Sequence, residues 1–171
     1  MNNLFIIRHA KAKSSEQGQE DCDRELNKEG KLRASISGKW INSLSEKIDL
    51  ICCSSSSRTQ QTTKIIANEM KYNPKIIVEP NLYSSDEYDL FHYIKSLDNN
   101  KDNLAIVGHE PGLKRLAILL TGTFKPGLEG VLEKIFSSST IAIITFNISV
   151  WSLLSEREGH LSEYFTPQKA I

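Results

Sequence analysis

The 171-residue chain sets 21 lysines and arginines against 21 aspartates and glutamates, and its hydrophobic and charged shares, 39% and 25%, are those of soluble domains. This composition excludes a disordered chain, and a formal charge of zero gives nucleic acid no overall attraction. Residues 1–171 are therefore expected to fold as one enzyme-sized domain.

In chain order, the first predicted strand is Leu4 to Ile7, a continuous apolar run suited to burial on both faces, and it ends at Arg8 and His9. After a polar loop, Asn27 is a good N-cap for a helix whose Leu32, Ile36, Trp40, Ile41 and Leu44 recur at helical spacing and form its predicted core face. A second strand, Asp49 to Cys53, runs into Ser54 to Ser57, which can cap a helix carrying Thr62, Ile65, Ile66 and Met70, with Arg58 in its first turn. The third strand, Lys75 to Glu79, precedes the segment Asn81 to Asp86 and a helix with Leu90, Ile94 and Leu97 on one face. The fourth, Leu104 to Val107, stops at Gly108, His109 and Glu110; Pro111 then opens a helix buried through Leu113, Leu116, Ala117 and Leu120. Two later runs, Thr140 to Phe146 and Val150 to Leu154, flank a turn at residues 147–149 and predict a hairpin at the sheet edge. Nothing regular is predicted from Glu156 onward. The alternation of strand, polar turn and amphipathic helix predicts an α/β fold, a three-layer sandwich around a mostly parallel sheet.

Cys22, Cys52 and Cys53 fit neither a disulfide framework nor a Cys-x-x-Cys metal pattern. No apolar run is long enough for a signal-peptide core or a membrane span, so a cytoplasmic protein with reduced thiols and no membrane partner is expected.

In an open parallel sheet, ligands sit beyond the carboxyl ends of the strands. Arg8-His9, Ser54 to Arg58 and Gly108-His109 all fall at such ends. A strand-end Arg-His pair, a serine-rich capping loop or a Gly-His turn is ordinary by itself; their coincidence at one edge points to a site. Two arginines, two histidines, serine hydroxyls and helix-start N–H groups suit a phosphate. Arginine offers a charged planar fork to phosphoryl oxygens throughout a reaction, which assigns Arg8 and Arg58 to clamping the transferred group. A neutral imidazole can attack, and neighbouring positive charge favours the neutral form. His9 is the better-placed nucleophile and His109 a donor to phosphoryl oxygens, whereas His92 and His160 lack such placement.

Phe5-Ile6-Ile7-Arg8-His9-Ala10 resembles the Arg-His-Gly signature of the histidine phosphatase superfamily, the phosphoglycerate mutase-like fold, with Ala10 in place of the usual glycine. Cys53 to Thr62, which contains Arg58-Thr59 and Gln61-Thr62, resembles its second motif, and Val107-Gly108-His109-Glu110-Pro111-Gly112 its third. Asp21-Cys22-Asp23-Arg24-Glu25-Leu26 followed by Gly30 is similar to the text of the short SixA-like phosphohistidine phosphatases. The resemblance implies a covalent phosphohistidine on His9, formed within a pocket of Arg8, Arg58 and His109, with no cofactor and no metal. Ser15, in the polar loop after the first strand, is taken with them as a further substrate-binding residue.

Many members of the superfamily place a glutamate two residues after the leucine that follows the third strand, to protonate the leaving group. Here Leu82 is followed by Tyr83 and Ser84, with Asp86 and Glu87 the nearest possible substitutes. Lack of that acid favours a phosphoramidate, whose imidazole leaves more readily than an alkoxide. The expected activity is hydrolysis of phosphohistidine on a partner protein, with phosphate or sulfate also binding the pocket. The alternatives are a small-molecule phosphomonoesterase or mutase of the same superfamily, and a non-catalytic phosphohistidine-binding module.

Overall fold

The computed structural model describes residues 1–97 and 100–167. Its centre is β1 (Asn2–Arg8), and the alternation of a pleated strand explains why this strand reads as unbroken apolar sequence. Leu4 and Ile6 enter one core cluster, while Phe5 and Ile7 enter another on the opposite face. β2 (Leu50–Cys53) and β4 (Asn103–Gly108) divide their side chains in the same way. Two helices cover each face: α1 (Lys28–Ser43) and α2 (Ser57–Glu69) on one, α3 (Glu87–Ser96) and α4 (Gly112–Leu120) on the other. The result is the expected three-layer sandwich, in which each fully buried aliphatic or aromatic side chain stabilises the fold by about 1.5–3 kcal/mol.

Seven strands form one sheet in the order β3-β2-β4-β1-β6-β7-β5, with β3 at Lys75–Val78, β5 at Thr121–Phe124, β6 at Ile141–Phe146 and β7 at Gly159–Phe165. β1, β2, β3 and β4 run parallel, as do β5 and β7, while β6 is antiparallel to both β1 and β7. The register decides the location of the site. Arg8 pairs with Gly108 and Cys53 with Val107, so the carboxyl ends of β2, β4 and β1 lie side by side.

Two expectations are corrected. The antiparallel partner of β6 is β7, not Val150–Leu154; residues Trp151–Leu153 form a 3-10 turn instead, and β5 takes the outermost position. Trp151 is fully buried there, its ring N–H donating to Lys101 O at 2.5 Å, so the apolar run fills core without joining the ladder. The buried face of α1 is Gly30, Ala34, Ser37, Gly38 and Ile41, whereas Leu32 is 49% exposed. Close packing on α2 is the reason: a Cβ at Gly38 would sit 2.8 Å from Ile66 O, so only small residues fit that face. Trp40 lies at the rim, stacked on Phe165.

Candidate active site

The site begins where β1 ends. His9 keeps its backbone on β4 through an N–H donated to Gly108 O at 3.1 Å, and its ring turns back so that Nδ1 lies 2.7 Å from Ala10 O. A carbonyl only accepts, so Nδ1 carries the hydrogen and Nε2 keeps its lone pair. Arg58 Nε–H points at that Nε2 from 3.4 Å. The Ala10 methyl, standing where the family signature has glycine, is buried against Leu26 and Ala34. Ala10 N–H donates to Thr62 Oγ1, which in turn donates to Arg58 O; this ties the loop after β1 to the first turn of α2.

Arg58 is carried into the pocket by the start of α2, where Ser56 caps the helix and Thr59 satisfies the carbonyls of Ser54 and Ser56. The arginine side chain is only 8% exposed, and both of its terminal nitrogens are held by one residue. Nη1 donates to Asp21 O at 2.6 Å and Nη2 to Asp21 Oδ2 at 2.8 Å. His109, at the end of β4, lies 5.2 Å from His9 between ring centroids. Its Nδ1 is 3.5 Å from Arg58 Nη2 and its Nε2 is 2.6 Å from the buried Ser54 hydroxyl. Arg8 is anchored by a 2.6 Å bond from Nη1 to Phe136 O. Tyr83 forms a wall, edge-on to His109, with Arg58 over its ring. Asp21, Arg58, Tyr83 and His109, together with Ser84, Ser85, Glu110 and Pro111, border a pocket of about 310 Å³. A Cβ on Gly112 would lie 2.3 Å from Ser85 O, so glycine at the start of α4 is what lets the two pocket walls meet.

The electrostatics follow from burial among cations. Burial, with Arg58 and Arg8 adding to it, lowers His9 to about 4. Burial and then His9 and Arg58 lower His109 to about 3. Both imidazoles are therefore neutral at physiological pH. Stability is expected to fall as pH drops from 6.5 toward 4, because there the unfolded chain takes up protons that the native histidines refuse. NMR titration of the ring nitrogens checks this: the His9 signal should move near pH 4, and movement near 6.5 would show that the ring is not desolvated. Burial also lowers Arg8 and raises Glu110.

Of the residues singled out from sequence, Arg8, His9, Arg58 and His109 come together, whereas Ser15 is exposed in the loop after β1 and takes part in none of the pocket's hydrogen bonds. Ser84 borders the pocket, as the motif spacing requires. Asp86 is committed elsewhere: its carboxylate caps α3 by accepting from Tyr88 N and Asp89 N. Glu87 faces Arg115. The site groups to which sequence reasoning gives no role are Asp21, Tyr83 and the carbonyl of Phe136. Asp21 opens the SixA-like stretch Asp21 to Leu26, but its contact with Arg58 spans 37 positions and carries no local signal. Among the described residues, no group of three or more His, Cys, Asp or Glu is placed to hold a metal ion, and no helix is long and apolar enough to cross a membrane.

A sheet of this order with a histidine and an arginine at the end of its central strand defines a class of phosphate-handling α/β proteins. Residues 4–86 match the model of the histidine phosphatase superfamily (branch 1), and the chain belongs to that superfamily. It is 32% identical over 141 residues to the uncharacterized protein Rv1276c of Mycobacterium tuberculosis, covering 81% of this chain and 85% of that one. Its fold is that of the SixA structures. The protein from Nakamurella multipartitia described as a candidate phosphohistidine phosphatase SixA superposes with a TM-score of 0.84 at 21% identity, covering 97% and 96% of the two chains. A protein histidine phosphatase SixA complexed with tungstate superposes at 0.78, also at 21% identity, covering 96% and 97%.

Proposed function

We propose that this protein is a metal-independent phosphohistidine phosphatase that acts on a partner protein through a covalent phosphohistidine on His9. The reading rests above all on the His9 ring, which is neutral and keeps the Nε2 lone pair, with Arg58 Nε–H 3.4 Å from it and the His109 ring beside it. In the first step the Nε2 lone pair forms the bond to phosphorus while the substrate P–N bond breaks, its electron pair going to the departing imidazole. In the second, water oxygen bonds to phosphorus while the P–Nε2 bond breaks, its electron pair returning to neutral His9 and the water's protons leaving with the phosphate or to solvent. Arg8 and Arg58 remain charged throughout and supply the stabilisation that a metal would otherwise give. Arg8 Nε, buried with no acceptor among the described residues, is a donor that a phosphoryl oxygen would satisfy. His109 would donate to a phosphoryl oxygen from Nδ1 while Ser54 holds Nε2. A relative of the same fold bound to tungstate supports a tetrahedral oxyanion in such a pocket. Free thiols at Cys22, Cys52 and Cys53 fit a cytoplasmic setting.

The substrate class rests on Ser84, which leaves the leaving-group side without the usual acid. A second reading, a small-molecule phosphomonoesterase, is favoured by Glu110: it borders the same pocket, and burial raises its pKa, the direction that suits a proton donor to an alkoxide. A phosphate-release panel of phosphohistidine protein, phosphohistidine peptide, aryl phosphate and phosphoglycerate ranks the two. Phosphohistidine and aryl phosphate are expected to outrun phosphoglycerate by on the order of 10²-fold or more. Comparable rates on phosphoglycerate would transfer the assignment to the second reading.

A further inference from the structure

Asp21 is the carboxylate nearest the pocket's cationic clamp. It belongs to the 3-10 turn Asp21–Asp23, packed against α2, and three donors hold it: Arg24 Nη1 at 2.9 Å on Oδ1, with Arg58 Nη2 at 2.8 Å and the Tyr83 hydroxyl at 2.5 Å on Oδ2. The Tyr83 hydrogen bond first, and then Arg24 and Arg58, keep this acid ionised well below the usual carboxylate range. A carboxylate accepts in about four directions, and three are filled. The side chain is 51% exposed and borders the pocket, and one acceptor position on Oδ1 is left to a bound group.

That position has consequences for charge. Alongside Arg58 and His109, the pocket is lined by Tyr83, Ser84, Ser85 and two acidic side chains, Asp21 and Glu110. An ester of a carboxylated or polyphosphorylated small molecule would set further negative charge against them. A protonated phosphorylimidazole sets a cationic N–H there instead, with its phosphoryl oxygens still on the arginines.

Building on the phosphohistidine reading, we infer that Asp21 determines specificity by accepting a hydrogen bond from the distal, protonated ring nitrogen of the leaving imidazole. As the P–N bond breaks, its electron pair enters the ring, the distal hydrogen stays in place on Asp21, and a neutral imidazole departs. No proton has to be supplied to the nitrogen that leaves. This accounts for a pocket that has serine where an acid is usual and a fixed carboxylate at its mouth.

The test measures kcat/KM of the wild type and Asp21→Asn on three substrates: free phosphorylimidazole, phosphohistidine peptide and phenyl phosphate. Asparagine keeps the size but offers one acceptor oxygen in place of two, so it loses the charge and an acceptor on one side of the Arg24, Arg58 and Tyr83 cluster. Both rates are expected to fall, because Asp21 also holds Arg58, but the fall on phosphorylimidazole should exceed that on phenyl phosphate by about tenfold or more, as for loss of a charge-assisted hydrogen bond. Circular dichroism with thermal unfolding shows whether the variant is folded. Equal losses on both would mean that Asp21 merely positions Arg58 and would overturn the inference, as would no loss on phosphorylimidazole. The reading of the partner fails separately: a wild type active on phosphorylimidazole but not on phosphohistidine peptide removes the protein substrate and leaves the role of Asp21 intact.

Discussion

Alanine in place of His9 is expected to lower turnover of every substrate by roughly 10⁴-fold or more, the scale on which removal of a nucleophile acts. The ring is held by hydrogen bonds to Ala10 O and from Arg58 Nε–H and by contact with His109, and the strand beneath it keeps its own backbone bonds. The fold should therefore survive, and circular dichroism with thermal unfolding will show whether it does. Undiminished activity in this variant would remove the covalent route through His9. The same variant separates the enzyme from a binding module, because a module would lose affinity for phosphohistidine without having had turnover to lose.

Lysine in place of Arg58 should cost on the order of 10² or more in kcat, and lysine in place of Arg8 a similar factor. Both substitutions keep the charge and lose the planar fork. At Arg58 every arm of the fork is engaged. Nε faces His9 Nε2 while the two terminal nitrogens span Asp21 and approach His109, an arrangement a single ammonium cannot reproduce. The split between constants carries the information. A fall confined to kcat places the arginine on the transition state; a rise confined to KM with a near-normal kcat would show that it only attracts phosphate.

What is legible in the sequence follows from the range of each signal. Arg8, His9, Arg58 and His109 stand out because each adjoins a strand whose apolar run is local, and the rule that parallel strands open their ligand site at the carboxyl ends supplies the third dimension. Asn27 as the cap of α1 is equally local, and its side chain accepts from Gly30 N as expected. Asp21 and Tyr83 lie beyond reach because they meet across 62 positions, and the Phe136 carbonyl reaches Arg8 across 128. β7 escapes because Glu163 and Ser162 interrupt its alternation and a shift of register against β6 breaks the period. Val150 to Leu154 has the apolar content of a strand, but burial of Trp151 rather than pairing explains it. The core face of α1 is misread when hydrophobicity is weighed over size, whereas contact with α2 selects the small residues.

The covalent route through His9 is tested most directly by rapid quench of the wild type during turnover of phosphohistidine peptide, followed by mass spectrometry under mildly alkaline conditions that preserve phosphoramidates. The expected result is a phosphoryl group on His9, attached through Nε2, appearing before phosphate is released and decaying at the rate of turnover. Acid-stable phosphate on a serine, or steady turnover with no phosphorylated enzyme at any time, would contradict it.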